Sequence, residues 1–133
     1  MKVALIQFSA SADKKDNISR AEAMVKEAIS HKAQWILLPE VFNARADFRD
    51  PKVLAEACED IPGETTQRFI DLVKKHPINL LLGSIFEKAP AGKAYNCSIA
   101  ISPDLKMTKY RKINLFEARL GDKIIRESDC MVP

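Results

Sequence analysis

The sequence has few of the residues from which nucleotide and metal sites are usually built. It contains four glycines, and none of them forms a glycine-rich loop between a strand and a helix, so neither common nucleotide-binding fingerprint is present. Its two histidines, His31 and His76, form no His-x-His or His-Glu-x-x-His pattern. We therefore expect neither a metal nor a cofactor.

The chain also lacks the pattern of a disulfide framework. Its cysteines, Cys58, Cys97 and Cys130, are odd in number and include no Cys-x-x-Cys pair. The apolar runs are far shorter than the roughly 18 to 20 residues that a membrane span needs. Residues 1–8 have the pattern of a first strand and no small-residue cleavage site follows them, so they do not resemble a signal peptide. These observations predict a cytoplasmic protein with no membrane contact.

Strong charge of one sign is absent as well. The net charge of +3 comes from 21 basic and 18 acidic residues that are spread along the chain. Residues 106–112, with Tyr110 among four basic side chains, are the only segment whose composition suits binding to a nucleic acid. We therefore expect no nucleic-acid partner.

The first part of the sequence alternates strand and helix patterns. A chain of 133 residues that is 47% apolar can bury the core of one domain. Residues 3–8 and 35–38 have strand patterns. Between them lies one apolar helix face, formed by Ile18, Ala21, Val25, Ala28 and Ile29. This order predicts a βαβ unit with a parallel strand pair.

The later part predicts hairpins beside further helices. Residues 53–57 favour a short helix, and a second helix is expected to be capped by Thr65 and Thr66 and to end at His76-Pro77. Residues 80–86 and 95–101 have strand patterns and are joined by a short loop at 88–93. Short connections join antiparallel neighbours, so the sequence predicts an α/β fold with a mixed sheet.

Two residues are candidates for chemistry, although each has an ordinary explanation when taken alone. Glu40 follows the apolar run 35–38 and Pro39, at the end of a strand where open α/β sheets keep their sites. By itself it is more simply explained as an ordinary solvated acid after a strand. Lys112 ends the basic stretch 106–112, which alone indicates an edge strand protected by charge.

The two candidates belong to a longer pattern that resembles the nitrilase superfamily of carbon–nitrogen hydrolases. Five landmarks of that family occur in order along nearly the whole chain. They are 3–7 (Val-Ala-Leu-Ile-Gln), 38–40 (Leu-Pro-Glu), 82–87 (Leu-Gly-Ser-Ile-Phe-Glu), 95–96 (Tyr-Asn) and 110–112 (Tyr-Arg-Lys) before Leu115-Phe116. Each landmark is unspecific alone, but their combination in this order is specific.

The resemblance implies a fold and a set of roles. Residues 1–133 would be a single incomplete domain, the amino-terminal half of an α-β-β-α sandwich with its helices on the outer face. Glu40 would be the general base and Lys112 the cation that stabilises a tetrahedral intermediate. Glu127 would be a second acid that positions the site, with Glu117 as its competitor. Asn114 stands where the family often has histidine, outside the chemistry.

The family's third catalytic residue, a cysteine in a motif like Gly-x-x-x-Cys-Tyr-Asp, has no counterpart here. Cys130 follows Glu-Ser-Asp at a mismatched position near the chain end, where we expect fraying and the reactivity of an exposed thiol. Cys97 lies in a strand as a small buried hydrophobe. Cys58 lies beside Glu56 and Glu59, whose charge disfavours a thiolate. The sequence therefore predicts that this chain contains no nucleophile.

The implied activity is hydrolysis of a non-peptide carbon–nitrogen bond in a small carboxylic-acid substrate, an amide in preference to a nitrile. Carbamoyl hydrolysis stays open. The chain would be inactive alone, and we expect a homo-oligomer or association with a missing carboxyl-terminal half. Glu40 and Lys112 should project from the ends of neighbouring strands into one concavity and lie near hydrogen-bond distance.

Two interpretations from other classes stay open beside the enzyme. One is a non-catalytic assembly or interaction protein that uses the open sheet edge of the half-fold for pairing. The other is an unrelated small α/β binding domain. A downstream coding segment with a strand followed by Cys-Tyr-Asp would separate the hydrolase from the assembly protein.

Overall fold

The computed structural model describes residues 1–45 and 47–133, which fold into a mixed sheet with helices beside it. Among these residues the strands and helices run, in chain order, β1 (Val3–Leu5), α1 (Lys14–Ser30), β2 (Trp35–Leu37), α2 (Pro51–Ala57), α3 (Glu64–Lys75), β3 (Asn79–Lys88), β4 (Ala94–Ile101), β5 (Met107–Arg111), β6 (Glu117–Leu120) and β7 (Lys123–Arg126). Single 3₁₀ turns lie at Pro90–Gly92 and Glu127–Asp129. The predicted α/β class is confirmed.

The main sheet has five strands in the order β1-β2-β3-β4-β5. The first three strands are parallel to one another, as the βαβ pattern predicts, and β4 and β5 join antiparallel through short connections. The remaining two strands, β6 and β7, form a separate hairpin that the sequence analysis did not predict.

One face of the sheet is covered by helices and the other is open. Ile36, Leu80 and Ile99 lie fully buried against the apolar faces of α1 and α3. On the opposite face, Leu5 and Trp35 are exposed at 77% and 43%. An exposed apolar sheet face of this kind is typical of a surface that another layer covers.

The start of α3 differs from the prediction. Gly63, rather than the Thr65-Thr66 pair, is the N-cap, and the Thr66 hydroxyl accepts the Gly63 N–H at 2.7 Å. The buried carboxylate of Glu59 accepts the Thr65 N–H at 2.7 Å and the Thr65 hydroxyl as well. The two threonines lie inside the first turn, where the Glu59 carboxylate accepts one of the free N–H groups, that of Thr65, from outside the helix.

Two absences concern the described part of the chain alone. Over residues 1–45 and 47–133, no helix combines the length and the apolar character that crossing a bilayer requires. Within the same ranges, no three histidine, cysteine or acidic side chains converge on a point where a metal ion could bind.

Candidate active site

The backbone that follows β2 crosses over β3 on the open face of the sheet. The Leu38 N–H donates to the Leu81 carbonyl at 2.9 Å, and the chain then passes Gly83 so closely that a Cβ there would stand 2.0 Å from the Leu38 oxygen. Gly83 lies at a bulge in β3, where the pairing with β4 shifts between Leu82 and Ile85. This crossing carries Glu40 beyond β3 toward β4.

The turn at Glu40 is held in a strained backbone conformation. The next residue, Val41, has a φ of +48°, which is unusual for a β-branched side chain. Its N–H donates to the buried Ser84 hydroxyl at 2.8 Å. Such strain costs about 1–3 kcal/mol and persists only where the surroundings hold the backbone in place. The contacts with Ser84 and Gly83 therefore fix the position of the Glu40 backbone.

A buried polar network secures the other end of the same loop. The Asn43 amide donates to Glu59 Oε1 at 3.3 Å, and the Asn43 carbonyl accepts from Asn17 at 3.2 Å. Lys14 Nζ lies 3.1 Å from Glu59 Oε1. The loop after Glu40 is thereby tied to α1 and to the segment that precedes α3.

The direction of Lys112 follows from strand alternation on β5. Lys109 and Arg111 contact the buried Glu87, and Arg111 makes two bonds of 2.8 and 2.9 Å to its oxygens. Successive residues of a strand point to opposite faces, so Lys112 lies on the face that carries Glu40. Its N–H donates to the Asn96 carbonyl at 2.8 Å, which continues the ladder with β4.

The contacts of Glu87 predict a dependence of stability on pH. The hydrogen bond from Arg111, followed by that from Lys109, lowers the pKa of Glu87 from its ordinary 4.5 to about 2. A depressed pKa in the folded protein contributes stability above about pH 4.5, and that stability is lost as the pH falls toward 2. Glu87→Gln should therefore cost about 2 kcal/mol of unfolding free energy at pH 7, after allowance for the exposure of Lys109 and Arg111.

Urea unfolding of the wild type and Glu87→Gln at pH 7 and pH 3 measures this effect. The difference between the two proteins should shrink at the lower pH. An equal difference at both values would contradict the assigned ion pairs. Glu56→Gln is the matched control, because Glu56 is an exposed acid on α2 that forms no ion pair within the described part of the chain.

Lys112 Nζ lies between two carboxylates. It is 3.3 Å from Glu40 Oε1 and 3.0 Å from Glu127 Oε2. Burial by itself lowers the pKa of Lys112, but the hydrogen bond to Glu127 and the charge of Glu40 outweigh it and raise the pKa above its ordinary 10.5. The amine is therefore held as a cation at neutral pH.

Glu127, rather than Glu117, is the acid that reaches the lysine. Its Oε2 accepts the Phe116 N–H at 2.7 Å, and its own N–H donates to the Phe116 carbonyl at 3.0 Å. Glu117 instead pairs with Arg126 at 3.0 Å on the β6–β7 hairpin. The competitor named from the sequence lies outside the cluster.

One expectation about this geometry is wrong. Glu40 and Lys112 do not follow neighbouring strands, because β3 and β4 lie between β2 and β5. The loop at Glu40 spans the gap by crossing β3 at Gly83. The Glu40 side chain is 61% exposed, so solvent reaches the carboxylate.

A cavity of about 1040 Å³ opens beside the cluster. Glu40 and Glu127 line it together with Arg45, Lys123 and Arg126. Its other walls are largely apolar and include five aromatic side chains: Phe8, Phe42, Phe48, Phe86 and Phe116. The cavity can therefore hold a small molecule with one polar, negatively charged end.

The cysteines are poorly placed as nucleophiles. Burial raises the pKa of the Cys58 thiol and of the Cys97 thiol to about 11. At Cys58 the charge of Glu59 also raises the pKa, as the sequence predicts, but burial is the larger cause. Cys97 pairs with Ile85 and Arg111 and lies on the helix-covered face, away from Lys112. Free thiols with raised pKa values are weak nucleophiles at neutral pH.

Cys130 is more ordered than the sequence analysis expects. The predicted fraying is wrong, because the Cys130 carbonyl accepts the Ala94 N–H at 3.1 Å and the next residue, Met131, is buried. Cys130 is partly buried and lines the cavity. Burial, with Asp129 nearby, raises the pKa of its thiol.

Sequence reasoning missed three residues that shape the cluster. These are Gly83, Ser84 and Asn96, all of which lie inside the landmarks quoted above. Asn96 could have been found from the alternation along β4, in which Asn96, Ser98 and Ala100 form a small and polar face and the residues between them are larger and apolar. Polar residues on one face of a central strand indicate that this face meets something other than a core.

Comparison with known proteins places these features in a family. The family model described as carbon-nitrogen hydrolase matches residues 2–133. The human protein named omega-amidase NIT2 is 40% identical over 134 aligned positions, which cover 99% of this chain and 47% of that protein. The omega-amidase NIT2 of Xenopus tropicalis is 38% identical with the same coverage.

Solved structures give the same result. Nit3 of Saccharomyces cerevisiae, a member of the nitrilase superfamily, superposes with a TM-score of 0.79 at 32% identity, covering 100% of this chain and 48% of Nit3. The C. elegans NitFhit protein shares the fold, with a TM-score of 0.82 at 24% identity over 98% of this chain and 32% of its own. This chain therefore belongs to the carbon–nitrogen hydrolase family, within the nitrilase superfamily, and spans about half the length of the curated relatives that it matches.

Proposed function

We propose that this chain supplies the general base and the stabilising cation for hydrolysis of a carbon–nitrogen bond in a small amide. Glu40 is the base, Lys112 is the cation, and Glu127 holds Lys112 in place. The observation that carries the proposal is the position of Lys112 Nζ, within 3.3 Å of Glu40 and 3.0 Å of Glu127 beside a cavity.

The proposed reaction proceeds in two halves. Glu40 takes the proton of a cysteine thiol while the sulfur attacks the amide carbon, and the carbonyl electron pair moves to an oxygen that Lys112 stabilises. The tetrahedral intermediate then expels ammonia, which takes the proton from Glu40, and leaves a thioester. Water attacks the thioester in the second half, with Glu40 again accepting the proton, and releases the acid and the thiol.

The nucleophile in this proposal comes from outside residues 1–133. Cys97 lies on the wrong face of the sheet, and Cys58 is buried with a raised pKa. Cys130 also has a raised pKa. It follows the 3₁₀ turn Glu127–Asp129 and does not lie directly at the end of a strand. We infer that a segment with the Cys-Tyr-Asp motif packs on the open sheet face and delivers the thiol.

An amide that also carries a carboxylate is the substrate class that we favour. The relatives at 36–40% identity are named omega-amidases, which supports amide over nitrile. Arg45 and Lys123 line the cavity and could bind a carboxylate remote from the reacting carbon. The complex of this chain with the cysteine-bearing segment would lie in the reducing cytoplasm, where free thiols persist.

Ammonia release tests the proposal. The 133-residue chain alone should hydrolyse no amide, since a base and a cation without a nucleophile cannot form the thioester. Adding a segment that carries the Cys-Tyr-Asp motif, encoded downstream or taken from a relative, should restore turnover of a dicarboxylic-acid monoamide. The same segment with that cysteine changed to alanine is the matched control. Turnover by the chain alone, or with the control segment, would contradict the proposal.

A second candidate function is favoured by the open face of the sheet. Val3, Leu5 and Trp35 expose apolar surface on β1 and β2, and this surface suits a binding partner without catalytic residues as well as a segment that carries the nucleophile. We propose that either a second copy of the chain or a carboxyl-terminal segment covers this face. Assembly without any amide hydrolysis in the test above would favour a non-catalytic interaction protein.

A further inference from the structure

Asn96 on β4 contacts both Glu40 and Lys112 from the sheet side of the cluster. It lies on β4 opposite Phe86 and is only 4% exposed. Its side-chain amide donates to Glu40 Oε1 at 2.8 Å, and its backbone carbonyl accepts the Lys112 N–H at 2.8 Å. One buried residue therefore fixes the Glu40 carboxylate through its side chain and the Lys112 backbone through its main chain.

These contacts make the two oxygens of Glu40 inequivalent. Oε1 accepts from Asn96 and lies 3.3 Å from Lys112 Nζ. Oε2 has no hydrogen-bond partner among residues 1–45 and 47–133. An oxygen that already accepts two donors has less capacity for a further proton than one with both lone pairs free.

We propose that Asn96 is a positioning residue for the base: it holds Glu40 with Oε1 directed at Lys112 and leaves Oε2 to take the proton. This inference rests on the proposed function. Lys112 pairs with Glu40 directly, and Glu127 pairs with Lys112. The other charged side chains that line the cavity beside Glu40 are Arg45, Asp47, Arg49, Lys123 and Arg126. Among residues 1–45 and 47–133, Asn96 is the side chain that donates to the Glu40 carboxylate from the sheet side.

An amide is the side chain suited to this position. It donates without carrying a charge, so it neither neutralises Glu40 nor competes with Lys112 for it. The Glu40 side chain is 61% exposed and would otherwise sample many rotamers. A fixed carboxylate does not have to be reoriented during the reaction, so the loss of Asn96 should reduce kcat rather than substrate binding.

The first test uses the 133-residue chain without any partner. The side-chain amide signals of Asn96 are followed by NMR through a pH titration in the wild type and in Glu40→Gln. The signals should move with pH in the wild type, since a proton on Oε2 withdraws charge from Oε1 and weakens its bond from Asn96, and should stay constant in Glu40→Gln. Signals that are independent of pH in the wild type would overturn the inference.

The second test uses the assembly with the cysteine-bearing segment. Asn96→Ala should lower kcat by about 10- to 100-fold and leave KM within about twofold. Ser98→Ala is the matched control, because Ser98 lies two residues along the same strand and bonds to the Gly83 carbonyl without contacting Glu40. It should retain kcat within about threefold of the wild type.

A third variant separates orientation from simple packing. Asn96→Leu fills a similar volume but cannot donate to Glu40 Oε1. Its kcat should fall about as far as that of Asn96→Ala, whereas a space-filling role would leave its kcat near that of the wild type. An Asn96→Leu variant with the wild-type kcat, or an Asn96→Ala variant as active as Ser98→Ala, would overturn the inference.

The outcomes distinguish this inference from the function on which it rests. An assembly without wild-type turnover would defeat the proposed function and the role of Asn96 with it, even if the NMR titration showed the contact. Turnover that is insensitive to Asn96 would defeat this inference alone.

Discussion

Replacing Lys112 with methionine is expected to lower kcat/KM for amide hydrolysis by about 10³-fold in the assembly with the cysteine-bearing segment. The amine is the cation beside Glu40, and removing a group that stabilises an oxyanion typically costs a factor of 10² to 10³. Methionine keeps most of the length of the side chain and loses the charge. Ammonia release at saturating and limiting substrate measures the loss.

Lys109→Met is the matched control for this change. Lys109 carries the same charge on the same basic stretch, but it points to Glu87 on the other face of β5. It should retain activity within about threefold of the wild type while losing some stability. A Lys112→Met assembly that retains a tenth of the wild-type kcat/KM would contradict the role of Lys112.

Gly83→Ala should strongly destabilise the fold. The new Cβ would stand 2.0 Å from the Leu38 oxygen and 2.5 Å from the Pro39 oxygen, and both are backbone atoms that cannot turn aside. Either the loop must lift from β3 or β3 must move, at a cost of about 3–4 kcal/mol. Urea unfolding followed by circular dichroism measures the loss.

Gly92→Ala provides the comparison for Gly83→Ala. No heavy atom lies within 4 Å of a Cβ at Gly92, so the change carries only the conformational cost of its φ of +70°, about 1 kcal/mol. A Gly83→Ala protein within 1 kcal/mol of the wild type would show that the crossing at Glu40 is not held by this contact.

The sequence predicted the elements of this fold because their signals are local. The apolar positions of α1 repeat every three or four residues, and β4 alternates every two, so each pattern specifies its own backbone. Proline and glycine at 62–63 and His76-Pro77 marked the limits of α3. The mixed order of the sheet followed from the lengths of the connections.

The residues of the candidate site were named from the sequence, but the contacts that bring them together were not predicted. Glu40, Lys112 and Glu127 were identified through a family resemblance, and the route that brings them together depends on long-range contacts. The crossing at Gly83 requires β2 and β3 to be paired already, and no local pattern shows which backbone passes a glycine. The ordered chain end was missed because Cys130 is held by Ala94, which is remote in sequence.

Glu40→Gln in the assembly with the cysteine-bearing segment is the most direct test of the central claim that Glu40 and Lys112 act as base and cation. Glutamine keeps the shape of the side chain and the bonds available to Oε1, but it cannot accept the proton. Ammonia release should fall by at least about 10³-fold, while Glu117→Gln, which changes an acid paired with Arg126, should leave it within about threefold. Turnover that survives Glu40→Gln would contradict the account.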